Sequence, residues 1–344
     1  MKFKTYSILF LIAVLVINGC SKNSNLKPSP TTTPQKTDSL QTTPLWSSDA
    51  DVYFAGTSDQ GIRTAATYWK NGVATVLSWG DDATGIAVNG NDIYVTGQAS
   101  GDAAYWKNGV FTSLKVSQVT TQALAITINA GDVYIAGEID GKASYWKNGV
   151  VTSVDPNQLF GSVANAIAVS GNDVYLAGYT FRVTSGVIQA AFWKNGVLTK
   201  LDPAPLPGTW TQATGIAVKG TDVYITGNTN SGATLWKNGA ANLFSNEKFP
   251  VADAILINGN DVYISGFTSL GPTYWKNGTP VNLLPSKLGN YLSQSTYIAL
   301  DGNDIYVAGG LSTSPLGAVY WRNGVPYLFS KDLVNIKSIT VAPH

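Results

Sequence analysis

Across 344 residues there is one cysteine, one histidine and one methionine, and only 12% of the side chains are charged. The single histidine is the last residue, His344, which argues against a Ser-His-Asp or Cys-His nucleophile and against a multi-histidine metal site. One cysteine cannot make an internal disulfide. A net charge of +1 lacks the basic excess that draws a chain to nucleic acid, so no nucleic-acid partner is expected. No glycine-rich loop opens a helix to cradle phosphate, no calcium-loop spacing occurs, and no cofactor is expected.

What is abundant is glycine, with 35 copies, together with 17 tyrosines and 10 tryptophans. Turn formers plus aromatic residues suggest many short strands. The strongest signal is a repeat. An Asp-Val/Ile-Tyr element starts at Asp51, Asp92, Asp132, Asp173, Asp222, Asp261 and Asp304, at intervals of 41, 40, 41, 49, 39 and 43 residues. A Trp-Lys/Arg-Asn-Gly element follows each one, at Trp69, Trp106, Trp146, Trp193, Trp236, Trp275 and Trp321. A period near 40 residues is that of one four-stranded propeller blade.

Within each unit four strands can be read. Gly85 to Val88 alternates small and large residues, as do Ala125 to Ile128, Ala166 to Val169, Gly215 to Val218 and Ala254 to Ile257. Such a strand, apolar on one side and small on the other, suits the innermost position between neighbouring sheets. Dipeptides such as Gly90-Asn91 and Ala130-Gly131 then turn into the Asp-Val-Tyr-x-x-Gly strand, and Asn-Gly turns the third strand into a fourth. The repeated tryptophans are read as filling between blades.

The first unit has no inner strand of its own, whereas Ser338 to Val341 has the inner-strand pattern and no successor. The expected fold is therefore an all-β, seven-bladed propeller with four antiparallel strands per blade, closed by the C-terminal strand completing the first blade. The domain is expected over 45–344.

The N-terminus has another organisation. Lys2 and Lys4 precede an apolar run from Ile8 to Ile17, about half of the ~20 residues that a membrane-spanning helix needs. The run ends at Ile17-Asn18-Gly19-Cys20, which resembles the lipobox of bacterial lipoproteins. That resemblance implies a signal peptide over 1–19, a lipidated Cys20, membrane attachment and a location in the bacterial cell envelope, with the outer membrane favoured by Ser21. Beyond Cys20, residues 21–44 are mostly Ser, Thr, Pro, Lys, Gln and Asn, and 20–44 is read as a disordered tether.

Topology separates scaffold from candidate site. Inner-to-second and third-to-fourth turns share one face and are uniform. Second-to-third connections and blade crossovers share the other and vary: Asp to Trp is 14 residues in four units but 18, 20 and 17 in the first, fourth and seventh. Extra length on a rigid scaffold is where specificity usually sits. The long connections, Thr57 to Thr64, Tyr179 to Gln189 and Gly310 to Leu316, are expected to be loops, and the ligand-binding candidates on this face are Arg63, Trp79, Asp81, Asp82, Glu138, Tyr179, Phe181, Arg182, Trp210, Gln212, Asp253 and Tyr291. Aromatic rings beside Asp and Gln suit sugars and equally suit protein interfaces; the same rings can instead plug the crossovers over the core.

The repeated Asp and Lys are read as cross-strand ion pairs or turn caps rather than metal ligands. Asp253 and Glu138 could approach the channel mouth, so a polysaccharide-active enzyme using paired carboxylates is the alternative to a non-catalytic module that binds a glycan or a protein. A purely structural scaffold is a third reading. The aspartate boxes of sialidase propellers and the Gly-His and Trp-Asp signatures of WD repeats are absent, and a monomer is expected.

Overall fold

A computed structural model describes residues 41, 50–61, 63–154, 161–182, 186–201, 210–244, 250–284, 293–311, 318–329 and 334–343. The signal peptide, Cys20 and nearly all of the expected tether lie outside the described residues. Gln41, within that tether range, makes a parallel bridge to Tyr327, with its N–H donating to the Pro326 carbonyl at 3.0 Å.

The strands form seven four-stranded antiparallel sheets. In blade 2 the order from the centre outward is Gly80–Asn89, Asp92–Ala99, Asp102–Lys107 and Val110–Ser113. The other blades repeat that order, and each innermost strand touches the innermost strands of the blades before and after it, around a complete circle. Closure is made by Val334–Pro343, which pairs with Ala50–Asp59 from Ala50↔Pro343 to Ser58↔Val334 and so supplies the inner strand of blade 1. The expected architecture and the expected closure are both present.

Local chemistry explains the uniform face. Asn71, Asn108, Asn148, Asn195, Asn238, Asn277 and Asn323 all have φ between 47° and 52°, each followed by a glycine near 80°. Two successive positive φ values make the primed turn whose twist matches the strands it joins, and Asn-Gly adopts it most readily. Each Asn side chain does more. Its Nδ2 donates to the blade's repeated aspartate at 2.6–2.8 Å, and its Oδ1 accepts the N–H of the residue after that aspartate at 2.8–2.9 Å. The aspartate's other oxygen takes the Lys or Arg at 2.5–2.9 Å, and the cation lies over the blade's tyrosine ring. The repeated charges are thus hairpin clamps.

Packing between blades is equally regular. All seven repeated tryptophans are buried. Trp106 sits with Ile86 and Val95 of its own blade against Tyr53, Ala66 and Leu77 of blade 1. At the closure, Ile336 and Ile339 pack with Phe54 and Trp69 against Tyr306 and Tyr320 of blade 7. Aromatic residues of this size supply most of the area buried between sheets.

Candidate functional site

The inner strands are longer than the alternation of small and large residues suggests. In blade 2 the strand begins at Gly80, and pairing skips one residue, passing from Ala83↔Gly97 to Gly85↔Thr96. Thr84 is therefore a β-bulge. The same displacement isolates Leu124 in blade 3, Asn165 in blade 4, Thr214 in blade 5, Asp253 in blade 6 and Lys337 in blade 1.

A glycine permits each bulge. A Cβ added at Gly97 would lie 2.0 Å from the Asp82 carbonyl oxygen, and Gly56, Gly137, Gly178, Gly227 and Gly266 face the equivalent oxygen at 1.8–2.1 Å. In these six blades the Gly that ends the Asp-Val/Ile-Tyr-x-x-Gly element is thus explained by the bulge on the neighbouring strand.

A bulge re-aims its side chain, and here the six residues turn toward the axis of the wheel. Together with Gln212 and Tyr297 they line a funnel of about 350 Å³, at the lower end of small-molecule sites. Several also staple one blade to the next. Thr84 Oγ1 donates to the Ala123 carbonyl at 2.8 Å, Asn165 Nδ2 to Ala213 at 2.9 Å and Thr214 Oγ1 to Ala252 at 2.8 Å. Lys337 Nζ reaches Asp82 Oδ2, whose partner oxygen accepts from Thr57 Oγ1 at 2.8 Å. Asp253 Oδ2 accepts the Thr296 N–H at 2.9 Å and the Thr296 hydroxyl at 3.4 Å. Desolvation dominates these two bonds and pushes the Asp253 carboxyl up to about 7.

Of the sequence candidates, Gln212 and Asp253 line this funnel, and Asp82 holds its lysine. Glu138 does not line it. It pairs with Gln122 and Ala143 near the end of its strand, half-buried, with its carboxyl pushed up by desolvation. Its charge also helps raise the Tyr179 phenol. Asp81 accepts the Gly101 N–H at 3.0 Å and caps a turn of its own blade. Arg63 is exposed in the turn that closes on Gln60.

The long connection of blade 4 is not a loop over its whole length. Its two strands, Asp173–Arg182 and Val187–Lys194, stay in register from Tyr179↔Ala190 to Arg182↔Val187, so the extra residues extend the hairpin. Phe181 in that extension lies against Gly161, where any Cβ would meet the ring, and its centroid is 6.2 Å from that of Tyr179. In blade 1, Thr57 to Asp59 likewise remain paired, with Ala66 to Thr64. Gly310 pairs with Ala318, while 312–317 and Tyr291 lie outside the described residues.

Two crossover tryptophans are exposed, three blades apart. Trp79 is 75% exposed with φ 63°, a left-handed conformation that costs a non-glycine residue roughly 1 kcal/mol. Trp210 is 42% exposed, bridges to Ile188 and donates its backbone N–H to Asn230 Oδ1 at 3.0 Å. It borders a groove of about 370 Å³ with Asn228, Asn230, Ser231 and Pro250.

No known family model matches this chain, and no curated protein matches it. Solved structures resemble it in fold. A chain of a nidogen/laminin complex is 8% identical with a TM-score of 0.46, covering 85% of this chain and 98% of that one. Apo AztD from Citrobacter koseri is 12% identical with a TM-score of 0.45, covering 86% and 99%. Pyrococcus horikoshii acylaminoacyl peptidase is 11% identical with a TM-score of 0.49, covering 82% of this chain and 52% of that one.

The bulge residues other than Asp253 were missed by sequence reasoning. A signal was available: in blades 2 to 6 one residue of changing chemistry stands between two small ones, as in Ala83-Thr84-Gly85, Ala164-Asn165-Ala166 and Ala252-Asp253-Ala254.

Proposed function

We propose that this chain is a non-catalytic binding propeller of the bacterial cell envelope, held to the membrane by acylation of Cys20, that engages a glycan or a protein partner through its irregular face. The reading is carried by the contrast between the two faces. On one, seven near-identical clamps spend the repeated charges on one another. On the other, exposed Trp210 borders a groove edged by asparagine and serine, and the funnel is lined by residues that differ from blade to blade. Partly exposed aromatic rings next to amide and hydroxyl groups suit the CH faces and hydroxyls of sugars, and serve as anchors in protein contacts as well.

Paired-carboxylate hydrolysis needs two acids facing one space. Asp253 lines the funnel, whereas Asp82 holds Lys337 and Thr57. This favours binding over hydrolysis.

A glycan array and a pull-down from envelope extracts with the domain from Leu45 onward test the reading. Trp210→Ala and Tyr179→Ala are expected to abolish capture while leaving the thermal transition in place. Unchanged capture by both variants would remove the irregular face as the site. Release of the full-length chain from membranes on Cys20→Ser tests the anchor.

A further inference from the structure

The funnel has an electrical and hydrogen-bonding polarity that the binding reading above does not use. On the arc formed by blades 4, 5 and 6, Asn165 and Thr214 donate outward to the next blade's carbonyls. The one donor hydrogen of Thr214 and one of the two on Asn165 Nδ2 are thereby committed, and the Asn165 Oδ1 and the Thr214 lone pairs remain as acceptors. The third member of the arc, Asp253, accepts on Oδ2 only; among the described residues its Oδ1 has no partner. On the far side, Lys337 is neutralised by Asp82, so among the described residues the cation lining the funnel is already paired. Among the described residues, the charged groups at the funnel are Lys337 with its partner Asp82, which cancel, and Asp253, which does not; Tyr297 is the other titratable group lining it. Leu124 and the Tyr297 ring supply apolar wall.

We propose that the mouth of the central channel is a binding site for a small organic cation carrying a primary ammonium, with Asp253 as counter-charge and Asn165 and Thr214 as hydrogen-bond acceptors. An ammonium brings three donors and one positive charge to a wall of acceptors with one unmatched carboxyl. A hydroxyl in the same place brings one donor and no charge, and leaves Asp253 uncompensated. The space, about 350 Å³, exceeds what a bare metal ion needs and leaves room for a carbon skeleton over Leu124. Because burial raises the carboxyl, a bound cation should lower it again, so binding near neutral pH is coupled to proton release from Asp253.

The probes are glucamine and sorbitol, which share a skeleton and differ in one ammonium, with gluconate as the anionic counterpart. Calorimetric titration of the intact chain at pH 8 is expected to give glucamine at least about tenfold tighter binding than sorbitol, the scale of one charge-assisted contact. Affinity for glucamine is expected to fall at pH 5, and repeating the titration near pH 7 in buffers of different ionisation enthalpy should report proton release. Asp253→Asn is expected to abolish the preference for glucamine; Thr214→Val, which removes one acceptor and keeps the shape, should weaken it severalfold. Equal binding of glucamine and sorbitol overturns the assignment, as do tighter binding of gluconate, absence of proton release, or a preference that survives Asp253→Asn. No binding of any probe at millimolar concentration overturns it as well. The crossover variants Trp210→Ala and Tyr179→Ala leave the glucamine titration unchanged, which separates this site from the partner-binding face.

Discussion

The closure of the wheel can be tested at two side chains. Ile336 is 1% exposed and Ile339 8% exposed, and both sit in the seam between blade 7 and blade 1, against Phe54, Tyr306 and Tyr320. Truncating a buried isoleucine to alanine loses transfer free energy and leaves a cavity, costing about 2–5 kcal/mol each. The double variant Ile336→Ala/Ile339→Ala should therefore lose roughly 4–10 kcal/mol, against about 5–15 kcal/mol for the whole stability of a typical domain. The matched control is Val73→Ala on an outer strand, where 70% exposure predicts a change within about 0.5 kcal/mol. The measurement is a thermal and a urea transition followed by near-ultraviolet circular dichroism, which reads the packed tryptophans. A drop in Tm of about 10 °C or more is expected for the double variant, using about 2–4 °C per kcal/mol for a large domain. Deleting 334–344 should go further and remove the cooperative transition, since the Ala50–Asp59 strand then loses its inner neighbour and the ring its closing strand. A double variant within about 2 °C of the parent, an effect of at most about 1 kcal/mol, would mean that the C-terminal strand is not part of the core and that the ring closes otherwise.

Other outcomes follow from particular contacts. Gly97→Ala, forced onto the Asp82 carbonyl, is expected to cost about 1–3 kcal/mol in urea unfolding. Replacing buried Trp106 by alanine should cost about 3–5 kcal/mol, whereas the same change at exposed Trp210 should cost less than about 1 kcal/mol. Trp79→Gly should raise stability by up to about 1 kcal/mol by relieving its positive φ, and lower capture if that ring touches the partner. The clamp aspartates Asp92, Asp132, Asp173, Asp222 and Asp261 are held below the usual carboxylate range chiefly by hydrogen bonds from the clamp lysine and asparagine, Lys147 and Asn148 in the case of Asp132. Their stabilisation is present above the unfolded value of 3.8 and is lost as the pH falls through the depressed folded values, so the urea midpoint should decline on acidification below about pH 4. Asp253 has the opposite sign. Its folded value is raised to about 7, so its ionisation penalises the fold increasingly as pH climbs from 3.8 toward 7. Asp253→Asn should accordingly raise the urea midpoint more at pH 8 than at pH 5.

The blade count, the strand order, the Asn-Gly hairpins and the closure by the tail were legible in the sequence. Each depends on local chemistry or on the period of the repeat: Asn-Gly supplies two positive φ values by itself, and an unmatched strand at each end implies a shared blade. The clamp was half legible. Asp92 and Lys107 were expected to meet, but the part of Asn108, which holds the same aspartate and the backbone behind it, emerges only once the strands are paired. The hairpin of blade 4 was misread as a loop because its added residues continue the register of a strand that the repeat elsewhere ends sooner.

By itself the sequence determined that the chain is a wheel of seven equivalent sheets with one regular face, since turns and alternating strands are properties of neighbouring residues. Only the tertiary structure decided which side chains share the axis. Thr84, Asn165, Thr214, Asp253 and Lys337 stand dozens of residues apart and look like ordinary strand positions; one skipped pairing in each blade turns them all inward to the same space. Each skip depends on a glycine in the partner strand of the same blade, but the space that the skipped residues share exists only where the inner strands of all the blades meet around the ring.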